Sequence, residues 1–380
     1  MKRLNVGLIG SGFMGRSHAL AWRAAAATFP LPTTPHLALL ADVDEATANR
    51  AAQGFGFARA TADWQALVDD PEVDLVDVTT PNILHAPMCR AVIQAKKPLY
   101  CEKPLAPDAA TAFALAREAE TAGVPTFVGF NYLRNPMTEL ARDIVRSGEI
   151  GEVWNFRGIH AEDYMTDPDS PWTWRLDPKG GAGAVADLGS HIVSLARYLV
   201  GPIETLSADL DTVIAERPAR EGGRRAVEVD DQARALVRFA NGAKGTLEAS
   251  WIATGRKMYQ AVELTGSKGA LVLNMERMNE LKLYVTGRTP ALDGWVEIPA
   301  TPAHKDYAGF IPAPGHQLGF NDIKTIEVAE IVRSLCGQGQ QLVPDFREAA
   351  EIQAVIDAML MSARTGTWVS VDEVARAAGR

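Results

Sequence analysis

Through the first 130 residues, short runs of aliphatic and β-branched residues alternate with longer stretches in which apolar side chains recur every three or four positions. This pattern predicts strands over 4–9, 36–41, 75–78, 99–101 and 126–130. Helices are expected between them, over 13–29, 45–53, 64–68, 83–95 and 108–122. Parallel neighbours need a crossover, and a helix after each strand supplies it, so the order points to a doubly wound parallel sheet. Pro30, Pro32 and Pro35 end the first helix, because proline lacks an amide hydrogen and restricts the residue before it.

Beyond residue 130 the rhythm changes. Two helical stretches, 137–146 and 184–199, are followed by strand-like runs over 204–211, 231–239, 243–252, 260–265 and 270–274. Turn pairs such as Asn241-Gly242 and Gly266-Ser267 favour hairpins and hence antiparallel pairing. A late helix is expected over 345–365, where Ala349, Ile352, Ile356 and Met359 line one face. The expected fold is therefore α/β: an N-terminal Rossmann-type parallel sheet over 1–130, then an α+β domain with a mainly antiparallel sheet over 131–380. A sheet with one free face also favours a homodimer or homotetramer.

Composition narrows the function. With 380 residues the chain exceeds one ordinary core, which agrees with two domains. No run approaches the roughly 20 apolar residues of a membrane span, and the start lacks the pattern of a signal peptide, so a cytoplasmic enzyme without a membrane partner is expected. Three cysteines, Cys89, Cys101 and Cys336, are odd in number and far apart, which suits reduced thiols and not a thiolate metal site. A net charge of −9 disfavours binding to a nucleic-acid backbone. Arg217, Arg220, Arg224 and Arg225 are interrupted by Glu216, Glu221 and Glu228 and read as a solvated loop.

The chemistry begins at Gly10-Ser11-Gly12-Phe13-Met14-Gly15, between an expected strand and an expected helix. In that context the first glycine permits a tight turn, the second lets a pyrophosphate approach the backbone, and the third lets helix and strand pack closely. Asp42, just past the second strand, is placed to accept from an adenosine ribose hydroxyl and to repel a 2′-phosphate, which favours NAD over NADP. It also suits the start of the next helix, ahead of Glu45 and Ala46.

With Glu102-Lys103-Pro104 at the end of the strand over 99–101 added to this fingerprint, the chain resembles the glucose-fructose oxidoreductase and inositol dehydrogenase (Gfo/Idh/MocA) family. The likeness extends through Thr80-Pro81-Asn82 with His85, Asn131-Tyr132, Trp174-Arg175, and Gly180-Gly181-Ala182-Gly183 leading into Asp187-Leu188-Gly189-Ser190-His191. It implies NAD as cofactor, a first domain that binds it, and a second that binds substrate and oligomerises. By the same resemblance Thr80, Pro81, Asn82, His85, Glu102, Lys103, Asn131, Trp174 and Arg175 join the glycine loop and Asp42 around the cofactor. Lys103, Asp187 and His191 become the catalytic group. The segment from Asp167 to Pro171 running into Trp174-Arg175 is most similar to the family's levoglucosan dehydrogenases.

Chemistry supports these roles independently. Oxidising an alcohol by hydride transfer needs a base for the hydroxyl proton and a cation beside the developing alkoxide. Lys103 is a candidate cation, although a lysine in a surface loop fits the same position. Asp187 and His191, four apart, would share one helix face, where the carboxylate makes the imidazole more basic; an ordinary helical ion pair has the same spacing. His160, Glu162 and Asp163 lie close in sequence but lack a further ligand at metal spacing, so no metal is expected. Tyr132, His160, Asp163 and Tyr164 are instead the candidate wall of a sugar or polyol pocket. Two other activities remain open: a glycosidase that oxidises its substrate only transiently on NAD, and a sugar-sensing regulator without catalysis.

Overall fold

The structure, a computed structural model, describes residues 3–181, 183–338, 341 and 343–380. Ala182, in the glycine-rich run, lies outside the described residues. In chain order the first elements are β1 (Arg3–Ile9), α1 (Phe13–Thr28), β2 (Thr34–Ala41), α2 (Glu45–Phe55), β3 (Arg59–Thr61), α3 (Trp64–Asp69), β4 (Leu75–Val78), α4 (His85–Gln94), β5 (Leu99–Cys101), α5 (Ala109–Ala122) and β6 (Thr126–Val128). There follow α6 (Pro136–Ser147), β7 (Val153–Ala161), α7 (Ser190–Leu199), β8 (Ile203–Asp211), β9 (Glu216–Pro218), β10 (Arg224–Ala226), β11 (Gln232–Phe239), β12 (Lys244–Ser250), β13 (Tyr259–Gly266) and β14 (Gly269–Asn274). The last are β15 (Glu280–Val285), β16 (Val296–Pro299), α8 (Tyr307–Phe310), α9 (Phe320–Leu335), α10 (Phe346–Thr365), β17 (Val369–Ser370) and α11 (Val371–Ala377).

The chain divides into two compact units. One runs to Arg134 and takes back Leu318–Ala350; the other comprises Asn135–Gln317 and Glu351–Arg380. The sequence places the second boundary nowhere, since residues from 131 onward read as one domain. The return depends on α9, a helix the pattern does not single out. Its Val328, Ile331 and Val332 are buried in the same core as Leu4, Val6 and Leu8 of β1 and Trp22 and Ala25 of α1.

In the first unit six parallel strands lie in the order β3-β2-β1-β4-β5-β6. Connections leave β1 and β4 in opposite directions, so the carboxyl ends of these two strands flank the crevice where such sheets take ligands. β3 was not expected, because three residues, two of them polar, carry no periodicity. Pro35 sits near the start of β2 opposite Leu4, a position where a strand tolerates proline.

The second unit is built on nine strands in the order β16-β15-β14-β13-β7-β12-β11-β8-β17. Only β7 with β12 is parallel; the other pairs run antiparallel. β7, in the middle, escapes the sequence pattern because two of its inward positions are Gly158 and His160 and not large apolar residues. Gly158 is required by packing: a Cβ there would stand 2.7 Å from Ile192 Cγ1, so glycine lets α7 lie close on the sheet. The expected helix over 184–199 begins differently, with a π turn at Val185–Gly189 before α7. The arginine-rich stretch is also corrected: it forms the β9–β10 hairpin, and Arg217 is fully buried within it.

Candidate active site

In the first unit the glycine loop bends as its residue types require. Gly10 has φ +97°, which only glycine adopts readily. A Cβ on Gly15 would lie 2.1 Å from Gly10 O, so helix and loop can touch only there without a side chain. Gly12 is different, with nothing within 4 Å of where its Cβ would be. The backbone at the start of α1 is thus open to a bulky group, no side chain caps that helix among the described residues, and no acid stands in its first turn. These features fit a pyrophosphate at a helix N-terminus.

Asp42 holds this loop in shape. Its Oδ2 accepts from the Ser11 amide at 2.8 Å and from the Ser11 hydroxyl, and its Oδ1 accepts from the Val43 amide at 2.7 Å. The capping alternative falls to Asp44, which accepts from the Thr47 amide at 2.8 Å and caps α2. Across the crevice, the Thr79 hydroxyl donates to Gly10 O at 2.8 Å. Pro81 leads into a 3-10 turn over Asn82–Leu84.

His85 is fully enclosed. Its Nδ1 lies 2.8 Å from Pro104 O and its Nε2 2.8 Å from Thr80 O, so the ring braces two candidate cofactor segments against each other. Burial holds its proton affinity below the ordinary value, against the pull of the two carbonyls.

Glu102 is likewise buried. Its Oε1 meets His18 Nε2 at 2.8 Å and Lys324 Nζ at 3.0 Å, while its Oε2 accepts from the Lys103 amide at 3.1 Å. Burial opposes ionisation, but Lys324 and His18 outweigh it and keep the carboxylate charged. Behind them, His18 Nδ1 lies 2.9 Å from both oxygens of Asp77, which also accepts from the Trp22 indole at 2.7 Å. Lys324 also donates to Glu327 at 2.7 Å. Sequence reasoning missed His18, Asp77, Lys324 and Glu327. The available signal was an unexplained histidine one turn into α1 and an acid inside an apolar strand. Lys103 follows this anchored carboxylate and is partly exposed. Asn131 is buried at the head of the turn Asn131–Arg134, and Tyr132 lies 6.1 Å from Phe320, itself 6.0 Å from Phe13.

In the second unit the other candidates gather around the π turn. The Tyr164 hydroxyl donates to Asp187 Oδ2 at 2.9 Å and Arg175 Nε to the same oxygen at 3.4 Å. Burial, then the Asp187 charge, pushes the Tyr164 proton affinity up, so the phenol stays a donor. Arg175 also stacks 4.4 Å above Trp174. His191 is buried with its ring 5.5 Å from that of His160. His160 Nδ1 lies 3.2 Å from Leu188 O and from the Gln260 amide, and its Nε2 3.1 Å from Glu162. The turn containing Asp187 is a π turn that runs straight into α7, where His191 sits; such turns recur at functional sites.

Asp163, next to Tyr164 in the chain, is paired with a lysine. Both its oxygens meet Lys257 Nζ, at 2.7 and 2.9 Å, and it accepts from the Gly255 amide. Asp230, which the sequence did not single out, anchors the turn: Val185 N donates to its Oδ2 at 2.7 Å and Ala184 N to its carbonyl at 2.9 Å. Burial raises the Asp230 carboxyl to about 7.

Residues 4–130 match the model of the oxidoreductase family with an NAD-binding Rossmann fold, and 138–272 that of the GFO/IDH/MocA C-terminal domain. The chain belongs to the Gfo/Idh/MocA family. It is 36% identical to levoglucosan dehydrogenase of Pseudarthrobacter phenanthrenivorans, over 98% of this chain and all of that one. A levoglucosan dehydrogenase solved in complex with NADH and levoglucosan superposes with TM-score 0.94 at 37% identity, covering 97% of this chain and 99% of that one. An NAD-binding oxidoreductase from Klebsiella pneumoniae superposes with TM-score 0.93 at 43% identity, with the same coverage. Membership makes this an oxidoreductase with NAD as cofactor, and the open backbone at Gly12 fits that group. No described helix is long and apolar enough to cross a membrane.

Proposed function

We propose that the chain oxidises a secondary hydroxyl of a sugar, anhydrosugar or cyclic polyol, with Lys103, Asp187 and His191 as the reacting group. The observation that carries this is the set of polar groups converging on the π turn. Asp187 is held by Tyr164 and Arg175, and His191 lies against His160, an arrangement suited to a ring bearing several hydroxyls. The similarity to levoglucosan dehydrogenase supports the same class.

In this reading Gly10, Gly12, Phe13, Met14, Gly15, Asp42, Thr80, Pro81, Asn82 and Asn131 hold NAD, which when bound accepts a hydride from the substrate carbon. The Lys103 ammonium stabilises the oxygen as it becomes an alkoxide, and His191 takes the hydroxyl proton, with Asp187 setting the charge around it. Tyr132, His160 and Tyr164 contact the ring.

The test is NADH formation from levoglucosan, glucose, xylose and myo-inositol, with 2-hydroxy acids and linear alcohols as controls. At least one ring substrate is turned over and no control is. Lys103→Ala loses at least about a hundredfold in kcat while NADH fluorescence titration shows binding retained. Turnover of 2-hydroxy acids alone, or glycoside hydrolysis without net NADH, overturns the reading.

A further inference from the structure

The stretch between Tyr164 and Arg175 is a loop whose two ends converge on one carboxylate, since both residues donate to Asp187 Oδ2. The middle of the loop has almost no regular structure to fix it. Its main-chain groups are instead claimed by the β9–β10 hairpin. Arg217 Nη2 donates to Met165 O at 2.6 Å and its Nη1 to Asp167 O at 2.7 Å. Arg224 donates to Pro168 O at 3.1 Å and to the Asp169 carboxylate at 3.2 Å. The Trp172 amide donates to Pro218 O at 2.8 Å, and the Arg225 guanidinium lies 3.5 Å from the centre of the Trp172 ring.

The hairpin is itself anchored. At its entry Asp231 accepts from the Val213 and Ile214 amides at 2.8 and 2.7 Å and from the Trp251 indole at 2.7 Å. Val227 and Val229, just after β10, share an apolar cluster with Met165, Leu176, Leu188 and Trp251. Arg217 is the tie between hairpin and loop. A buried guanidinium is costly unless its donors are satisfied, and here two of them go to main-chain carbonyls two residues apart, which fixes a backbone shape.

We propose that Arg217 is a specificity-determining positioning residue, which through the hairpin sets the course of residues 165–173 and so the fit of the ring substrate beside Asp187. This rests on the sugar-oxidising function proposed above. A loop tied at both ends to Asp187 and in the middle to a rigid hairpin presents its polar groups at fixed positions. Rejecting a ring that lacks one hydroxyl depends on such fixed partners.

The experiment compares the full chain with Arg217→Met and Arg217→Lys, measuring KM and kcat for the ring substrates, NADH affinity by fluorescence, and amide hydrogen exchange over 165–173. Arg217→Met raises KM about tenfold and narrows discrimination among the sugars, with kcat within about twofold and NADH affinity unchanged. Arg217→Lys, keeping one donor on one carbonyl, falls between. Exchange over 165–173 quickens in both, most in Arg217→Met. Unchanged KM and exchange overturn the proposal, as does a parallel loss of kcat, KM and NADH affinity, which signals general loosening. If Arg217→Met does not fold, the exposed pair Arg224→Ala with Arg225→Ala replaces it, with the same pattern expected at about threefold. Wild-type protein that oxidises no ring substrate overturns the functional reading itself, whereas the exchange measurement reads the tie between hairpin and loop in either case.

Discussion

Asp42 accepts three hydrogen bonds from its own loop and its own neighbour, yet a carboxylate offers about four lone-pair positions, so it can take one more donor. A ribose hydroxyl meets that need and a 2′-phosphate does not, because two anions would face each other at close range. The wild type therefore prefers NAD, and Asp42→Ala narrows the ratio of kcat/KM between NAD and NADP by at least about tenfold. Comparing the two cofactors in both proteins checks this, and a wild type preferring NADP removes Asp42 from ribose recognition. Asp230 gives a pH-dependent counterpart. Its carboxyl is raised by burial to about 7, above the roughly 3.9 of a free aspartate, so the native state retains a proton that the unfolded chain has released. Stability from this group is full below about pH 4, declines as pH rises through about 7, and is lost above. Asp230→Asn keeps an acceptor for Val185 without the charge. The Tm of the variant relative to wild type rises between pH 5 and pH 8, and a pH-independent difference contradicts the assignment.

At the scale of elements, what sequence pattern could reveal depended on whether apolar residues fill the buried positions. β1, β4 and β5 read clearly because strands covered on both faces are continuous apolar runs, and the glycine loop read clearly because each glycine answers a distinct steric demand. β7 did not, since its inward positions are filled by Gly158 and His160, one for close packing and one for the site. α9 was obscured by Lys324 and Glu327, which a pattern reader takes for a solvent face but which are buried with Glu102. The polar residues missed around the site, His18, Asp77 and Lys324, share that cause: His18 meets Asp77 59 positions away and Lys324 meets Glu102 222 positions away, beyond any local pattern. The role of α9 in the first unit is testable through its apolar face. Ile331 is fully buried among Val328, Val332 and the β1 side chains, so Ile331→Ala costs about 2–5 kcal/mol, read as a lower urea midpoint. A cost below about 0.5 kcal/mol, typical of a surface site, contradicts that packing.

For the molecule as a whole, the open question is what the outer face of the nine-stranded sheet meets. α7 packs on one side, where Ile192 lies against Gly158. On the other side, Arg234, Leu236 and Arg238 point outward from β11, with Leu236 54% exposed, and Arg157 of β7 pairs with Glu263 of β13 at 2.8 Å. Ile159, Ala261 and Val272 are only partly covered on the same face. Apolar positions interspersed with both signs of charge can match a second copy of themselves about a two-fold axis, whereas a uniformly charged face would repel its copy. A stable pairing needs about 800 Å² from each partner, an area that several adjacent strands of a nine-stranded sheet can supply. We therefore expect a homodimer or homotetramer by light scattering at micromolar concentration. Leu236→Glu, which replaces an exposed apolar side chain of that face with a carboxylate that must be desolvated on pairing, shifts the mass toward the monomer without altering NADH affinity. A wild-type monomer at these concentrations, or a Leu236→Glu protein of unchanged mass, places the contact elsewhere or removes it.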